Sequence, residues 1–257
     1  MRITVKVGTS TLTHATGRLN IRHVEQLCKV LSDVKNAGHE VVLVSSGAIG
    51  MGVGKLNLSQ RPSDMPTKQA AAAVGQCELM SVYDKLFQEH NHTVAQILLT
   101  GADLRDETRH ANFANTLDRL LALGALPIIN ENDTVSTDEI AVGDNDTLSA
   151  MVAVSVKADL LIVMTDIDGL YTADPRKDEG AQLIPEVREI TPEMLAGAGG
   201  GGTMLSTGGM ATKLTAARLC MEAGTEMLIV NGARADIIYD VLEGKAVGTR
   251  FIGRTET

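Results

Sequence analysis

Leu126-Pro127-Ile128-Ile129-Asn130-Glu131-Asn132-Asp133-Thr134-Val135-Ser136-Thr137-Asp138-Glu139-Ile140-Ala141-Val142-Gly143-Asp144-Asn145-Asp146 decides how this chain is read. It opens with a short apolar run and ends where a helical pattern begins, near Thr147. Between them lie six carboxylates (Glu131, Asp133, Asp138, Glu139, Asp144, Asp146) and three Asn side chains. A polar loop from a buried strand to a helix start is the connection of an α/β protein. In an open sheet such connections gather at the carboxyl edge of the strands, where ligands bind. A single Asp at a helix start is explained as a cap. A whole cluster at that edge asks for a ligand.

The same pattern repeats on either side. Arg2 to Val7 reads as a buried strand carrying Lys6 just before its end, followed by the small-residue break Gly8-Thr9-Ser10. Ile21 to Ala37 has helical periodicity with Asn20 as N-cap. Glu40 to Ser45 is a continuous apolar strand of the kind buried in parallel sheets. The segment after it holds Ser46, Gly50, Gly52 and Gly54, and is either a flexible turn or a second loop of backbone amides. Its spacing is not that of a dinucleotide fingerprint. A connector runs from Arg61 to Pro66, then a helix over Thr67–Glu89, a strand over Thr93–Leu99 and a helix over Arg105–Leu123. After the opening stretch come a helix to Lys157, a strand over Asp159–Met164, and a polar loop starting at Thr165-Asp166. A glycine-rich segment from Gly197 to Gly209 feeds a helix that carries Lys213 in its first turn. Glu226 to Val230 is a further strand, Ala235 to Leu242 a short helix, and Thr249 to Ile252 an edge strand.

Composition limits the function classes. The chain has 257 residues, enough for one α/β domain, and 44% of them are hydrophobic. No apolar run reaches the length of a membrane span, and the N-terminus lacks a signal-peptide pattern. A net charge of −9 disfavours nucleic acid as a partner, and aromatic residues at 2% with no Trp leave few platforms for base stacking. Cys28, Cys77 and Cys220 have no metal spacing and are odd in number, which fits a reducing cytoplasm better than a disulfide framework.

Polar loops therefore leave the predicted strand ends at Gly8, Ser45, Asn130 and Thr165, and another precedes a helix at Thr207. Phosphoryl transfer needs cations and backbone amides around the moving group and a positioned nucleophile, and little covalent work from protein. Lys6 and Lys213 can supply charge on two sides, and an Asp between them would limit their repulsion. No Walker A pattern is present.

Six segments, in order, resemble the amino-acid kinase superfamily: Val5-Lys6-Val7-Gly8-Thr9-Ser10, Ser45-Ser46-Gly47-Ala48-Ile49, Ile129-Asn130-Glu131-Asn132-Asp133, Val142-Gly143-Asp144-Asn145-Asp146, Leu170-Tyr171-Thr172-Ala173-Asp174-Pro175 and Gly208-Gly209-Met210-Ala211-Thr212-Lys213. Within it, the chain closely resembles the branch that phosphorylates glutamate. The resemblance implies an α/β/α fold with an open, mostly parallel sheet sandwiched between helices, over one domain of residues 1–257. Its acceptor-binding part would span roughly 1–157 and its nucleotide-binding part roughly 158–257. It implies transfer of the ATP γ-phosphate to the side-chain carboxylate of L-glutamate at the entry to proline biosynthesis, a Mg2+ requirement, feedback inhibition by proline, a homo-oligomer and a cytoplasmic location. Lys6, Lys213 and Asp146 would be catalytic. Ser46, Asp133 and Asn145 would bind glutamate. Gly8, Thr165, Asp166, Thr207, Gly208, Gly209, Met210, Ala211, Thr212 and Lys213 would contact the nucleotide. Asp138 and Glu139 would belong to a solvated flap. Many members carry a further C-terminal domain, and this chain resembles the form without it. Gly101 stands where the family often has Arg. Other acceptors within the superfamily (carbamate, aspartate, N-acetylglutamate) and a non-catalytic amino-acid sensor are the competing readings.

Overall fold

The computed structural model describes residues 1–14, 18–136, 145–197 and 209–253. The strands are β1 (Arg2–Val7), β2 (Glu40–Ser45), β3 (Val94–Leu99), β4 (Leu126–Glu131), β5 (Leu160–Thr165), β6 (Glu186–Val187), β7 (Glu226–Asn231) and β8 (Thr249–Phe251). They form one sheet in the order β3-β4-β2-β1-β5-β7-β8-β6. Every pairing is parallel except that of β7 with β8. The continuous Val/Ile/Leu runs of the central strands are buried throughout β4 and β5, and in all but the first residue of β1 and β2. Alternate residues serve opposite faces. Val41 and Leu43 join a core with Ile3, Val5 and Ile128, while Val42 and Val44 join another with Ile129, Leu161 and Val163.

The helices are α1 (Thr9–Leu12), α2 (Ile21–Asn36), α3 (Ala48–Lys55), α4 (Met65–Gln88), α5 (Gly101–Arg105), α6 (Glu107–Ala122), α7 (Asn145–Ser155), α8 (Pro192–Gly197), α9 (Met210–Glu222) and α10 (Ile237–Leu242). One core is closed by α2, α4 and α10, through residues such as Leu27, Leu31, Leu79, Tyr83 and Ile238. The other is closed by α6, α7 and α9, through Phe113, Leu117, Val152, Leu214 and Ala217. This is the expected sandwich.

Several boundaries differ from the sequence reading, each for a local reason. The glycine-bearing segment after β2 is a helix, not a flexible turn, because α4 packs on it and supplies what its propensity lacks. The single helix expected over Arg105–Leu123 is two. Asp106 ends the first and caps the second, accepting from the Arg109 N–H, while Thr100 and Asp103 form a capping box ahead of it. Gly101 opens that first short helix, buried against it. Pro66 belongs to the first turn of α4, where its missing N–H costs nothing, and not to a connector. The strand at Thr249 is interior, because the two-residue β6 lies outside it. Two residues carry no periodicity to read.

The contact between α3 and α4 is made by backbone. A Cβ on Gly52 would lie 1.8 Å from the Ala71 carbonyl oxygen, and one on Gly75 would lie 1.7 Å from that of Ala48. The two helices thus approach as closely as main chains allow, and this holds the segment after β2 against α4. Gly75→Ala is therefore expected to force them apart at a cost of about 2 kcal/mol, lowering the thermal midpoint by roughly 4–8 °C. A melting curve unchanged within about 1 °C would contradict the close approach.

Candidate active site

The sheet places three distant residues together. β1 lies between β2 and β5, so the chain that leaves β4 must pass over β2 and β1 to enter β5. The N-terminus of α7 therefore arrives above the carboxyl end of β1, at the point where successive connections turn to opposite sides of the sheet. Asp146 is the second residue of α7 and is 0% exposed. Lys6 donates to its Oδ1 at 2.5 Å, and Lys213 of α9 donates to its Oδ2 at 3.0 Å. The Thr212 hydroxyl also lies 3.0 Å from Oδ2 and 2.8 Å from the Gly209 carbonyl oxygen. Both lysines are nearly buried, at 7% and 5% exposure. Asp146 is thus no helix cap. Burial alone would push its carboxyl up, but the two ammonium groups outweigh that and hold it at about 2.

Asn145, the residue before it, faces the other way. Its Nδ2 lies 2.9 Å from each of the Ser45 carbonyl oxygen, the Ser46 hydroxyl and Asn130 Oδ1. Ser46 and Asn145 are brought together as expected from sequence. Asp133 is half-buried in the turn that leaves β4, closed by the Val135 N–H donating to the Asn132 carbonyl at 3.1 Å. Two further polar residues support this corner. Gln76 accepts from Asn130 Nδ2 at 2.8 Å, and the Tyr83 hydroxyl lies 2.9 Å from Ser45 Oγ. Both come from α4, two turns apart on its buried face. The sequence reading passed over them, since a Gln and a Tyr in an Ala-rich helix look like ordinary helix residues. The signal was their shared spacing with the buried Leu79.

The third group lies across β1. Thr165 ends β5 with its carbonyl accepting from the Gly232 N–H at 2.7 Å and its hydroxyl 3.2 Å from Asp166 Oδ1. Asp166 is exposed and stands 3.6 Å from Arg176. Gly8 follows β1, and a Cβ there would sit 3.8 Å from Lys6 Nζ, so the glycine leaves the approach to that ammonium open. Gly209 precedes α9 in extended conformation, with no heavy atom of the described residues within 4 Å of its missing Cβ. Met210 packs on the core, Ala211 is exposed, and Thr212 and Lys213 turn to Asp146. Thr207, Gly208, the glycines at 199–202, and Asp138, Glu139, Gly143 and Asp144 lie outside the described residues. Among the described residues no group of three or more His, Cys, Asp or Glu could hold a metal ion, and no helix is long and apolar enough to cross a membrane.

Two buried lysines on one carboxylate at a sheet's carboxyl edge, with an amide-lined corner beside them, suit a phosphotransferase. The chain belongs to the amino acid kinase family, whose sequence pattern it matches over residues 1–231. Its relatives place it among the glutamate 5-kinases. The glutamate 5-kinase of Clostridium tetani is 57% identical over 97% of this chain and 93% of its own length. That of Clostridium perfringens is 51% identical over 98% and 96%, and that of Moorella thermoacetica is 54% identical over 98% and 67%. In fold, the chain is similar to the isopentenyl phosphate kinase of T. acidophilum, with a TM-score of 0.61 at 17% identity over 97% of this chain and 99% of that one.

The depressed pKa of Asp146 gives the pH dependence its sign. A carboxyl whose folded value lies below its free value stabilises the fold above the free value, 3.8, and loses that contribution as pH falls through about 2. Stability is therefore expected to be independent of this group from neutral pH down to about 4, and to decline below it. Asp146→Asn should flatten that acid limb and leave two buried lysines with no anion between them, costing about 3–5 kcal/mol in chemical denaturation. An unaltered acid limb in the variant would refute the assignment.

Proposed function

We infer that the chain transfers the γ-phosphoryl group of ATP to the side-chain carboxylate of L-glutamate, giving glutamyl 5-phosphate in the first step of proline biosynthesis. The observation that carries this reading is the pair of buried lysines held apart by Asp146 beside Asn145. A carboxylate with a pKa of about 4.3 is ionised near neutral pH and needs no general base. One of its oxygens bonds to the γ-phosphorus as the bond to the β–γ bridging oxygen breaks and ADP leaves. Negative charge spreads over the equatorial oxygens of the moving group and the bridging oxygen. Lys6 and Lys213 meet that charge, and Asp146 keeps them separated and aimed before substrate arrives, so little rearrangement is needed at the moment of reaction.

Ser46 and Asn145 hold the acceptor, and Asp133 pairs with its α-ammonium group. An N-acylated acceptor would give Asp133 no cation to meet, which is why free glutamate is favoured over N-acetylglutamate. The acceptor part is residues 1–157. The nucleotide part is residues 158–257, with Gly8 from the first part, Thr165 and Asp166, and the segment through Thr207 to Lys213 around the phosphates. The same reading includes Mg2+ on those phosphates, inhibition by proline, a homo-oligomer and a cytoplasmic location, as the family resemblance implies.

Incubation with glutamate, ATP and hydroxylamine should yield the glutamyl hydroxamate; hydroxamate from another acceptor but not from glutamate would overturn the assignment. Lys213→Ala should lower kcat by roughly 10^2–10^3-fold with little change in the glutamate KM, because its contribution belongs to the transition state. Asp133→Ala should do the opposite, raising the glutamate KM by roughly tenfold or more at modest cost to kcat. A glutamate KM that stays put in Asp133→Ala removes that contact from the proposal.

A further inference from the structure

The Asn145 amide is one end of a longer buried chain of polar side chains. Asn145 Nδ2 lies 2.9 Å from Asn130 Oδ1, and Asn130 Nδ2 lies 2.8 Å from Gln76 Oε1. Two backbone groups fix the sense of every link. The Glu131 N–H can only donate, and it reaches Asn130 Oδ1 at 2.9 Å. The Ser45 carbonyl can only accept, and it takes Asn145 Nδ2 at 2.9 Å. The atom of Asn130 facing Asn145 is thus its oxygen, its nitrogen must donate, and Gln76 must offer its oxygen. The Asn145 nitrogen has two hydrogens for three oxygens, so one is shared; it cannot accept, and the Ser46 hydroxyl 2.9 Å away keeps its own hydrogen to donate elsewhere.

Gln76 is itself held firmly. It is 8% exposed and follows Gly75, whose backbone abuts Ala48, so α4 cannot slide along α3 at this point. Asn130 is 2% exposed. Without the Gln76 oxygen, the Asn130 amide has two poor choices. It can keep its orientation and leave a buried donor unpaired, which is costly. Or it can turn over and set its nitrogen against the Glu131 N–H and the Asn145 nitrogen, donor against donor.

We propose that Gln76 is a positioning residue for the acceptor site. By accepting from Asn130 it fixes Asn130, through it Asn145, and so keeps the Ser46 hydroxyl as a donor towards the acceptor's carboxylate. The inference rests on the glutamate-kinase reading of the site. Gln76 acts through Asn130 and does not touch the substrate.

A double-mutant cycle on glutamate-dependent ADP release tests it, using wild type, Gln76→Met, Asn130→Ala and the double variant. Gln76→Met should raise the glutamate KM roughly tenfold, the scale of one weakened buried hydrogen bond, with the ATP KM within about twofold of wild type. In the Asn130→Ala background the same substitution should change the glutamate KM by less than about twofold, since its route to the site is gone. If Gln76→Met does not fold, Gln76→Ala admits water as a substitute acceptor, and the expected rise is about threefold with the same loss of effect beside Asn130→Ala. Effects that multiply across the cycle, or an ATP KM that rises as much as the glutamate KM, overturn the proposal. A wild-type chain without glutamate-dependent turnover removes the functional reading and this inference with it. A wild-type chain that turns over, with effects that multiply, removes the inference alone.

Discussion

Two lysines buried at 7% and 5% exposure would repel one another and resist leaving water if nothing stood between them. Asp146, wholly buried, takes one ammonium on each carboxylate oxygen. The organisation of the site follows from that contact. It requires the helix after β4 to begin above the end of β1, which the strand order provides. It requires α9 to bring Lys213 alongside α7, which the small residues Ala216 and Ala217 of α9 and Ala150 and Ala153 of α7 allow within one core. It also places Asn145, next in the chain, on the opposite side, where it meets Ser46 and Asn130.

Such a cluster is a poor way to stabilise a fold, because apolar side chains of similar volume commonly do as well. Its worth lies in being built before the substrates come. Charge that must meet a phosphoryl group in water would first have to shed its own hydration and be steered into place. On the proposed reading both steps are completed during folding, and the fixed cations meet charge that shifts onto the equatorial and bridging oxygens during transfer. The acceptor corner follows the same logic with neutral groups. Its amides are oriented by backbone partners that cannot reverse their roles.

Much of this was legible in the sequence. The continuous apolar runs gave the buried strands, and Lys6, Ser45 and Thr165 stood at their ends because polar residues must appear where a strand leaves the core. Asn20 and Gly38 marked the bounds of the first long helix through capping and a positive-φ stop. The meeting of Lys6 with Asp146 and Lys213 was not written in any local pattern. It came from resemblance, and the geometry depends on strand order, which no window of residues encodes. The helix over Ala48–Lys55 was missed because glycine weakens helices taken alone, whereas here glycine is what lets a second helix come close enough to support it. Gln76 was missed for a related reason: its partner lies 54 positions away in the chain.

The parallel sheet carries one more consequence, for how the molecule comes into being. Lys6 and its carboxylate are separated by 140 residues, and the second lysine lies a further 67 beyond. No early hairpin or local helix pair can bring them together, so the loop-closure entropy of most of the chain must be overcome before the charges meet. The charged cluster therefore exists only once β1, the start of α7 and the start of α9 have been brought to the same edge of the sheet.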